Sequence, residues 1–288
     1  MKKILPIIIC LNLSLSTLCQ VPSVFISSND DYGIRITYFG DYESVPADSL
    51  DLELTRVYYD YTYKGEKEIT GVWLLQVGAK TMRYIHERRY KADSIQRVSP
   101  RKTSLINNFN ENGDPYHFFD SYFISDNKCR FICRFGADDI MYEETIQPIT
   151  WELQDSVANI CGHLCRCASG TFRGRTYNVF YAEDIPISSG PWKLSGLPGL
   201  ILYADVDGGT FVFNARQVGP ATGAPILWPK YPYIKVNRKQ YTRMLIQMQQ
   251  NINIALPSHL ARNPSIGFNS ERGYIQPDLS WVEQLETE

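Results

Sequence analysis

Residues Glu183–Gly209 read EDIPISSGPWKLSGLPGLILYADVDGG, and the rest of the chain takes its meaning from them. The first part sets Gly190, Gly196 and Gly199 and the prolines 191 and 198 among Trp192, Leu194, Leu197 and Leu200. Glycine serves where the backbone needs positive φ or close approach, and proline fixes φ and removes a donor, so this is a shaped apolar loop rather than a helix or a central strand. It feeds Leu200–Val206, an alternating run that ends at Asp207-Gly208 and resumes as Thr210–Val218. Asp-Gly between two such runs is a strong hairpin signal, so the loop leads into antiparallel sheet.

Outward from the loop, the same pattern recurs. Ile160–Phe172 and Thr176–Ala182 predict another hairpin, turning at Arg173-Gly174-Arg175. Ser121–Ile124, Cys129–Phe135 and Ile140–Thr145 are short β-rich runs with bends at Asp126-Asn127 and at 136–139. Alternation in Leu52–Tyr63 places Val57, Tyr59, Tyr61 and Tyr63 on one face, with Leu52 and Leu54 out of phase, which predicts a bulge near Thr55. Val72–Val77 groups Trp73, Leu75 and Val77, and a third strand is expected over Thr81–Arg89. Residues 90–115 read as a polar loop with helical character at Tyr90–Arg97, and Gly219–Tyr233 is proline-rich without a period. In Asn237–Ala255, Tyr241, Leu245, Met248 and Ile252 recur at helical spacing, and Pro257 stops the helix. The fold class expected is therefore mostly β (α+β): a curved antiparallel sheet, as in a half-open barrel, with one packed C-terminal helix.

The N-terminus points to export. Lys2 and Lys3 precede an apolar run from Ile4 to Leu18, the pattern of a secretory signal peptide cleaved after Cys19, with an acylated Cys19 as the competing reading. Residues 20–50 form a variable leader with one strand at Ile34–Tyr38, residues 51–257 the β domain, and 258–288 an irregular tail. The formal charge of −2 becomes −4 once both lysines are removed, which gives no electrostatic footprint for nucleic acid. Five cysteines remain: Cys129, Cys133, Cys161, Cys165 and Cys167. In a compartment that permits disulfides, a cross-strand bridge from Cys129 or Cys133 to the second group is the expectation. A metal site is the sharper alternative, because Cys161, His163, Cys165 and Cys167 would share one strand face, but the spacing departs from zinc-ligand pairs and no metal or cofactor is expected.

Several runs resemble one family. Gly162, Cys165 and Ala168, then Phe172-Arg173-Gly174-Arg175, then Ile185-Pro186-Ile187 through Ile201 are similar to the GLPGLI family of exported proteins from Bacteroidota-type bacteria, whose diagnostic run is IPI-x-x-GPW-K-x-x-GLPGLI. The chain departs from that pattern at Val179-Phe180-Tyr181-Ala182, where members commonly carry Ala-Trp-Tyr-Thr, and at Cys167, where lysine is commoner. The resemblance implies export and marks Cys165, Arg173, Gly174 and Arg175 as family positions.

Two physical readings of the signature compete. In one, Ile185, Pro186, Gly190, Pro191, Trp192, Gly196, Leu197, Pro198, Gly199 and Leu200 rim an apolar groove for a small apolar ligand or peptide. In the other they pack beneath the sheet. Motifs for catalysis are weak: there is no G-x-S-x-G elbow and no C-x-x-C, and neighbouring carboxylates such as Glu143-Glu144 face opposite ways on a strand. Asp205–Gly208 reads as a hairpin tip rather than a calcium loop. Arg83, Arg88, Arg89 and Lys91 with Tyr84 and Tyr90 read as a solvated basic patch, and Trp228, Tyr231 and Tyr233 as an aromatic loop. The expected function is a non-catalytic binding or scaffold protein of the periplasm or cell surface. An accessory partner of an outer-membrane receptor, or an enzyme of unrecognised type drawing on Arg175, Glu183, Asp184 and Lys193, are the alternatives.

Overall fold

The computed structural model describes residues 23–28, 34–39, 47–65, 68–98, 105–108, 120–135, 138–230 and 232–250. In chain order the elements are β1 (Ser23–Ser28), β2 (Ile34–Phe39), β3 (Ala47–Leu52), β4 (Thr55–Lys64), β5 (Glu68–Val77), β6 (Met82–His86), α1 (Glu87–Val98), β7 (Leu105–Asn108), β8 (Ser121–Ser125), β9 (Lys128–Phe135) and β10 (Asp138–Thr145). They continue with β11 (Trp151–Ile160), β12 (His163–Phe172), β13 (Arg175–Ala182), β14 (Leu200–Val206), β15 (Phe211–Pro220), β16 (Pro225–Pro229), β17 (Ile234–Lys235) and α2 (Arg238–Gln250). Seventeen strands against two helices among the described residues make the fold mostly β, as expected. One curved sheet, not closed into a barrel, runs β11-β12-β13-β14-β15-β4-β5-β6-β8-β9-β10-β17. All its pairings are antiparallel except β10 with the short β17. β1-β2-β7 and β16-β3 form two small sheets beside it.

Register explains the core. The row Val57, Leu75, Tyr84, Tyr122, Phe131, Tyr142 crosses six strands from β4 to β10 on one face. Its rings meet edge and face: Tyr122 lies 4.9 Å from Phe131, and Phe131 4.8 Å from Tyr142, while Trp73 stacks on Tyr84 at 4.8 Å. Aromatic pairs across strands add to what burial alone provides. Tyr241 of α2 closes the row, 5.0 Å from Phe131 and 5.5 Å from Tyr142, and so the helix docks at that end. Val57, Tyr59, Tyr61 and Tyr63 are all buried, as their alternation predicts.

The opposite face carries the row Arg56, Gln76, Arg83, Phe123, Arg130, Glu143. Here the expected solvated basic patch is corrected. Arg83 is buried, its guanidinium 3.1 Å from Asp93 of α1 and 5.1 Å above the Phe123 ring, while Arg89 and Lys91 pair with Asp93 and Glu87 along the helix. The side chain of Arg88 lies outside the described residues. β16 lays Trp228 over Phe123 at 4.8 Å and beneath Arg130 at 4.5 Å, so this aromatic residue packs on the sheet rather than projecting from it; Tyr231 lies outside the described residues.

Other differences are local. The third strand stops at His86 and α1 begins at once, three residues ahead of the helical stretch read from sequence. In place of a bulge near Thr55 the chain breaks at Glu53-Leu54: β3 leaves to pair with β16, Glu53 turns inward, and Leu52 and Leu54 stay exposed. The predicted strand from Ile160 is shortened because Cys161 (φ 52°) and Gly162 (φ 86°) make the β11–β12 turn. Residues 251–255 of the expected helix, the tail, and the signal segment lie outside the described residues.

The predicted disulfide is absent: Cys129, Cys133, Cys161, Cys165 and Cys167 all remain thiols. Cys129 and Cys133 lie on β9 and Cys165 and Cys167 on β12, with β13, β14, β15, β4, β5, β6 and β8 between them in the sheet. Strand neighbours, not residues of matching type, decide which sulfurs can meet.

At the β14–β15 tip, Asp207 accepts from the amide of Thr176 at 2.9 Å and pairs with Arg175 at 2.5 Å. Burial acts to raise its pKa, but the Arg175 and Thr176 hydrogen bonds outweigh it and hold it below the usual 3.8. A depressed carboxylate contributes stability above its unfolded pKa and loses it as pH falls through the folded one. Asp207→Asn is therefore expected to lower Tm at neutral pH, with the gap to wild type closing below about pH 4, as read by circular dichroism melts.

Candidate functional site

Between β13 and β14 the chain crosses through 183–199, held by its own backbone. Leu200 N donates to Ile185 O at 3.1 Å, Ile201 N to Ser189 O at 2.8 Å, and Leu194 N to Pro191 O at 3.1 Å. Gly196 takes φ 99° and donates to Ser188 Oγ at 3.0 Å, while Trp151 Nε1 donates to Ser195 O at 2.8 Å. Gly190, Pro191, Trp192, Leu197, Gly199 and Leu200 are buried, Ile185 is half-buried, and Pro186, Gly196 and Pro198 are exposed. Trp192, Leu194, Leu197 and Leu200 thus belong to the main core, so of the two competing readings these residues follow the packed crossover rather than the open groove rim, while Pro186 and Pro198 stay exposed. The reason is proximity: Trp192 packs edge-on to Phe172 at 5.7 Å, leaving its ring no solvent face.

One residue of the signature is polar and still sealed. Lys193 is 1% exposed, its Nζ 2.5 Å from Glu144 Oε1 and 4.9, 5.8 and 6.0 Å from the ring centroids of Trp192, Tyr122 and Tyr142. The other oxygen of Glu144 meets Arg173 Nη2 at 2.9 Å and Arg238 Nε at 3.5 Å. One carboxylate on β10 therefore joins the signature loop, the β12–β13 turn and the start of α2. Of the sequence candidates, Lys193 and Arg173 are brought together. Arg175 goes instead to Asp207, Glu183 to Arg166 at 3.4 Å and Asp184 to His163 at 2.7 Å, and Gly174 forms the turn itself. In the sequence Glu144 reads only as one of two adjacent acids, and Arg238 carries no signal at all. Chemically the cluster can hold charge in place, but it offers little surface on which a substrate could react.

The cysteines differ in exposure, from buried Cys129, Cys133 and Cys165 to exposed Cys161. Burial raises the thiol pKa of Cys165 to about 11, with the Asp184 charge adding to it, and burial likewise raises Cys133, Cys161 and Cys167. Cys161 Sγ donates to Ala215 O at 3.2 Å, tying the β11–β12 turn to β15. A nucleophilic cysteine needs the opposite shift. Among the described residues no three His, Cys, Asp or Glu side chains are grouped to hold a metal ion.

Two open surfaces stand out among the described residues. A pocket of about 420 Å³ lies where β4, β5, β15 and the start of α1 meet, lined by Arg56, Tyr58, Val72, Glu87, Arg216 and Thr222 among others. At the far end of the sheet, β11 pairs, among the described residues, only with β12 and is exposed along most of its length. Leu153, Val157 and Leu164 are 58%, 61% and 66% exposed there. Register places Leu153 opposite Ala168 and Val157 opposite Arg166, so all three share the face of Ala168 and Val179, which are fully buried. Among the described residues nothing covers the core face as it continues to this edge. No helix among the described residues is long and apolar enough to cross a membrane.

No family model and no curated protein matches the chain. Two solved structures are similar to it in fold: PNGF-II in space group P21, 12% identical with a TM-score of 0.50 over 68% of this chain and 34% of that one, and PNGF-II in space group C2, 13% identical with a TM-score of 0.47 over 68% and 33%. The chain spans about a third of those structures' length, and at such identity the likeness is one of fold alone.

Proposed function

We propose that the chain is an exported, non-catalytic binding or scaffold protein of the GLPGLI family that docks an extended partner segment along β11. The observation that carries this is the end of the sheet that no other described strand pairs with, an edge strand of ten residues with Leu153 and Val157 exposed and Leu164 beside them. Such an edge is a template for strand addition, and proteins that keep one open without a partner risk aggregation. The partner's chemistry follows from charge. β11 carries Glu152 and Asp155 and no cation, so a second copy paired antiparallel would bring acids together, whereas a strand alternating apolar and basic residues would match. The sealed signature loop and the raised cysteine thiols support the non-catalytic side of the reading, and the burial of Trp192 and Leu197 lends less support to a small apolar ligand at that loop than to a peptide at the edge.

Hydrogen exchange of the mature protein with a synthetic decapeptide of alternating leucine and lysine tests the docking. Slowed exchange confined to Trp151–Ile160, lost in Val157→Pro, is expected, since proline there leaves the β11–β12 turn intact while spoiling the free edge. An equal effect from a leucine–glutamate decapeptide, or an undiminished effect in Val157→Pro, would overturn the docking. Export is tested separately: protein recovered from the periplasm is expected to begin at Gln20.

A further inference from the structure

The pocket between β4, β5, β15 and α1 is built around a fixed guanidinium. Arg56 Nε and Nη2 grip Glu53 at 2.7 and 2.9 Å, Nη1 donates to Tyr58 Oη at 3.2 Å, and Nη2 also reaches Thr222 Oγ1 at 2.9 Å and Tyr90 Oη at 3.3 Å. Glu53, itself 1% exposed, accepts further from Thr222 Oγ1 at 2.6 Å and Gln76 Nε2 at 2.7 Å. Burial alone would raise the pKa of Glu53, but these hydrogen bonds outweigh it and keep the carboxylate ionised. Gln76, directly across from Arg56 on β5, is fully buried and its Oε1 has no hydrogen-bond partner among the described residues. Five polar side chains locked around one arginine exceed what two paired strands need. Fixed donors at a pocket wall are what a preorganised ligand site requires.

The remaining walls specify the ligand. Arg216 and Glu87 bring opposite charges to the pocket, and each is balanced outside it, by Asp60 and Lys91. With Arg56 balanced by Glu53, the site is neutral overall yet offers both signs, and Val72 and Pro220 add an apolar wall. A ligand matching that surface is neutral overall, carries a carboxylate and an ammonium, and bears an apolar group. We propose that this pocket binds a zwitterionic α-amino acid, with its carboxylate on Arg56 and Arg216, its ammonium on Glu87, and its side chain against Val72 and Pro220. The volume admits one amino acid or a dipeptide.

Titration calorimetry with L-leucine as the probe tests this, using leucinamide, which lacks the carboxylate, and N-acetyl-leucine, which lacks the ammonium. Leucine is expected to bind, each blocked form at least about tenfold more weakly, as befits the loss of one charge-assisted contact. Arg216→Gln should weaken leucine by a similar factor, and Glu87→Gln should erase the penalty for N-acetylation. Arg216 pairs with Asp60 and Glu87 with Lys91 rather than with Glu53, so a matching wild-type melt shows that the variants are folded. Absence of binding up to about 10 mM leucine, or equal binding of leucinamide, overturns the proposal. Val157→Pro should leave leucine binding unchanged, which separates this site from the β11 edge.

Discussion

Gly199→Ala is expected to lower stability by about 3 kcal/mol or more, and Gly199→Val to prevent accumulation of folded protein. A Cβ at this position would stand 2.7 Å from the Ala182 carbonyl carbon and 3.1 Å from Glu183 Cα. Both are backbone atoms, so no rotamer change relieves the clash. The crossover could accommodate a methyl only by moving away from β13, which would pull Leu197 and Leu200 out of the core. Gly162 is the contrast: it has φ 86° but nothing within 4 Å of a built Cβ, so Gly162→Ala should cost only the conformational strain, about 1 kcal/mol. Urea unfolding of both variants checks this, and equal losses for the two would show that close approach at Gly199 is not the cause.

Glu144→Gln is expected to cost about 3–5 kcal/mol, the usual penalty for removing one member of a buried ion pair. Lys193 would keep its charge among Trp192, Tyr122 and Tyr142 without the carboxylate 2.5 Å away, and the single amide oxygen of glutamine could accept from Lys193 or from Arg173 at the β12–β13 turn but not from both. Adding Lys193→Met should recover part of the loss, because an apolar chain of similar length suits the aromatic surroundings. A double-mutant cycle measures the coupling directly, and strictly additive effects would mean that the pair does not clamp the signature loop. The GPWK segment thus has a structural role. Its lysine ties the loop to Glu144 on β10, and α2 is drawn to the same carboxylate through Arg238.

Much of the sheet is legible from local pattern. Tyr59, Tyr61 and Tyr63 alternate because a pleated strand presents every second residue to one side, and Asp207-Gly208 turns because a tight hairpin needs positive φ. Ambiguous local pattern misleads. Glu53 between two leucines looks like the outward residue, yet it is buried because Arg56, Gln76 and Thr222 satisfy both of its oxygens. Trp151–Ile160 shows little alternation because almost none of it is covered, so its full length as a strand is not visible in the sequence. The functional surfaces are harder still. Arg56 and Arg216 lie far apart in the chain and meet only because β15 pairs with β4.

By itself, the sequence determined the local geometry of this protein: the antiparallel strands, the hairpin tips, the final helix, and a crossover where only glycine fits. These depend on residue-by-residue backbone preference and on the period of apolar side chains, which any short window contains. The tertiary structure alone decided which strands are neighbours, and with that which cysteines stay apart, which carboxylate holds Lys193, and which edge of the sheet is left open. Those outcomes depend on long-range pairing and burial, whose energies belong to contacts between distant segments rather than to any one of them.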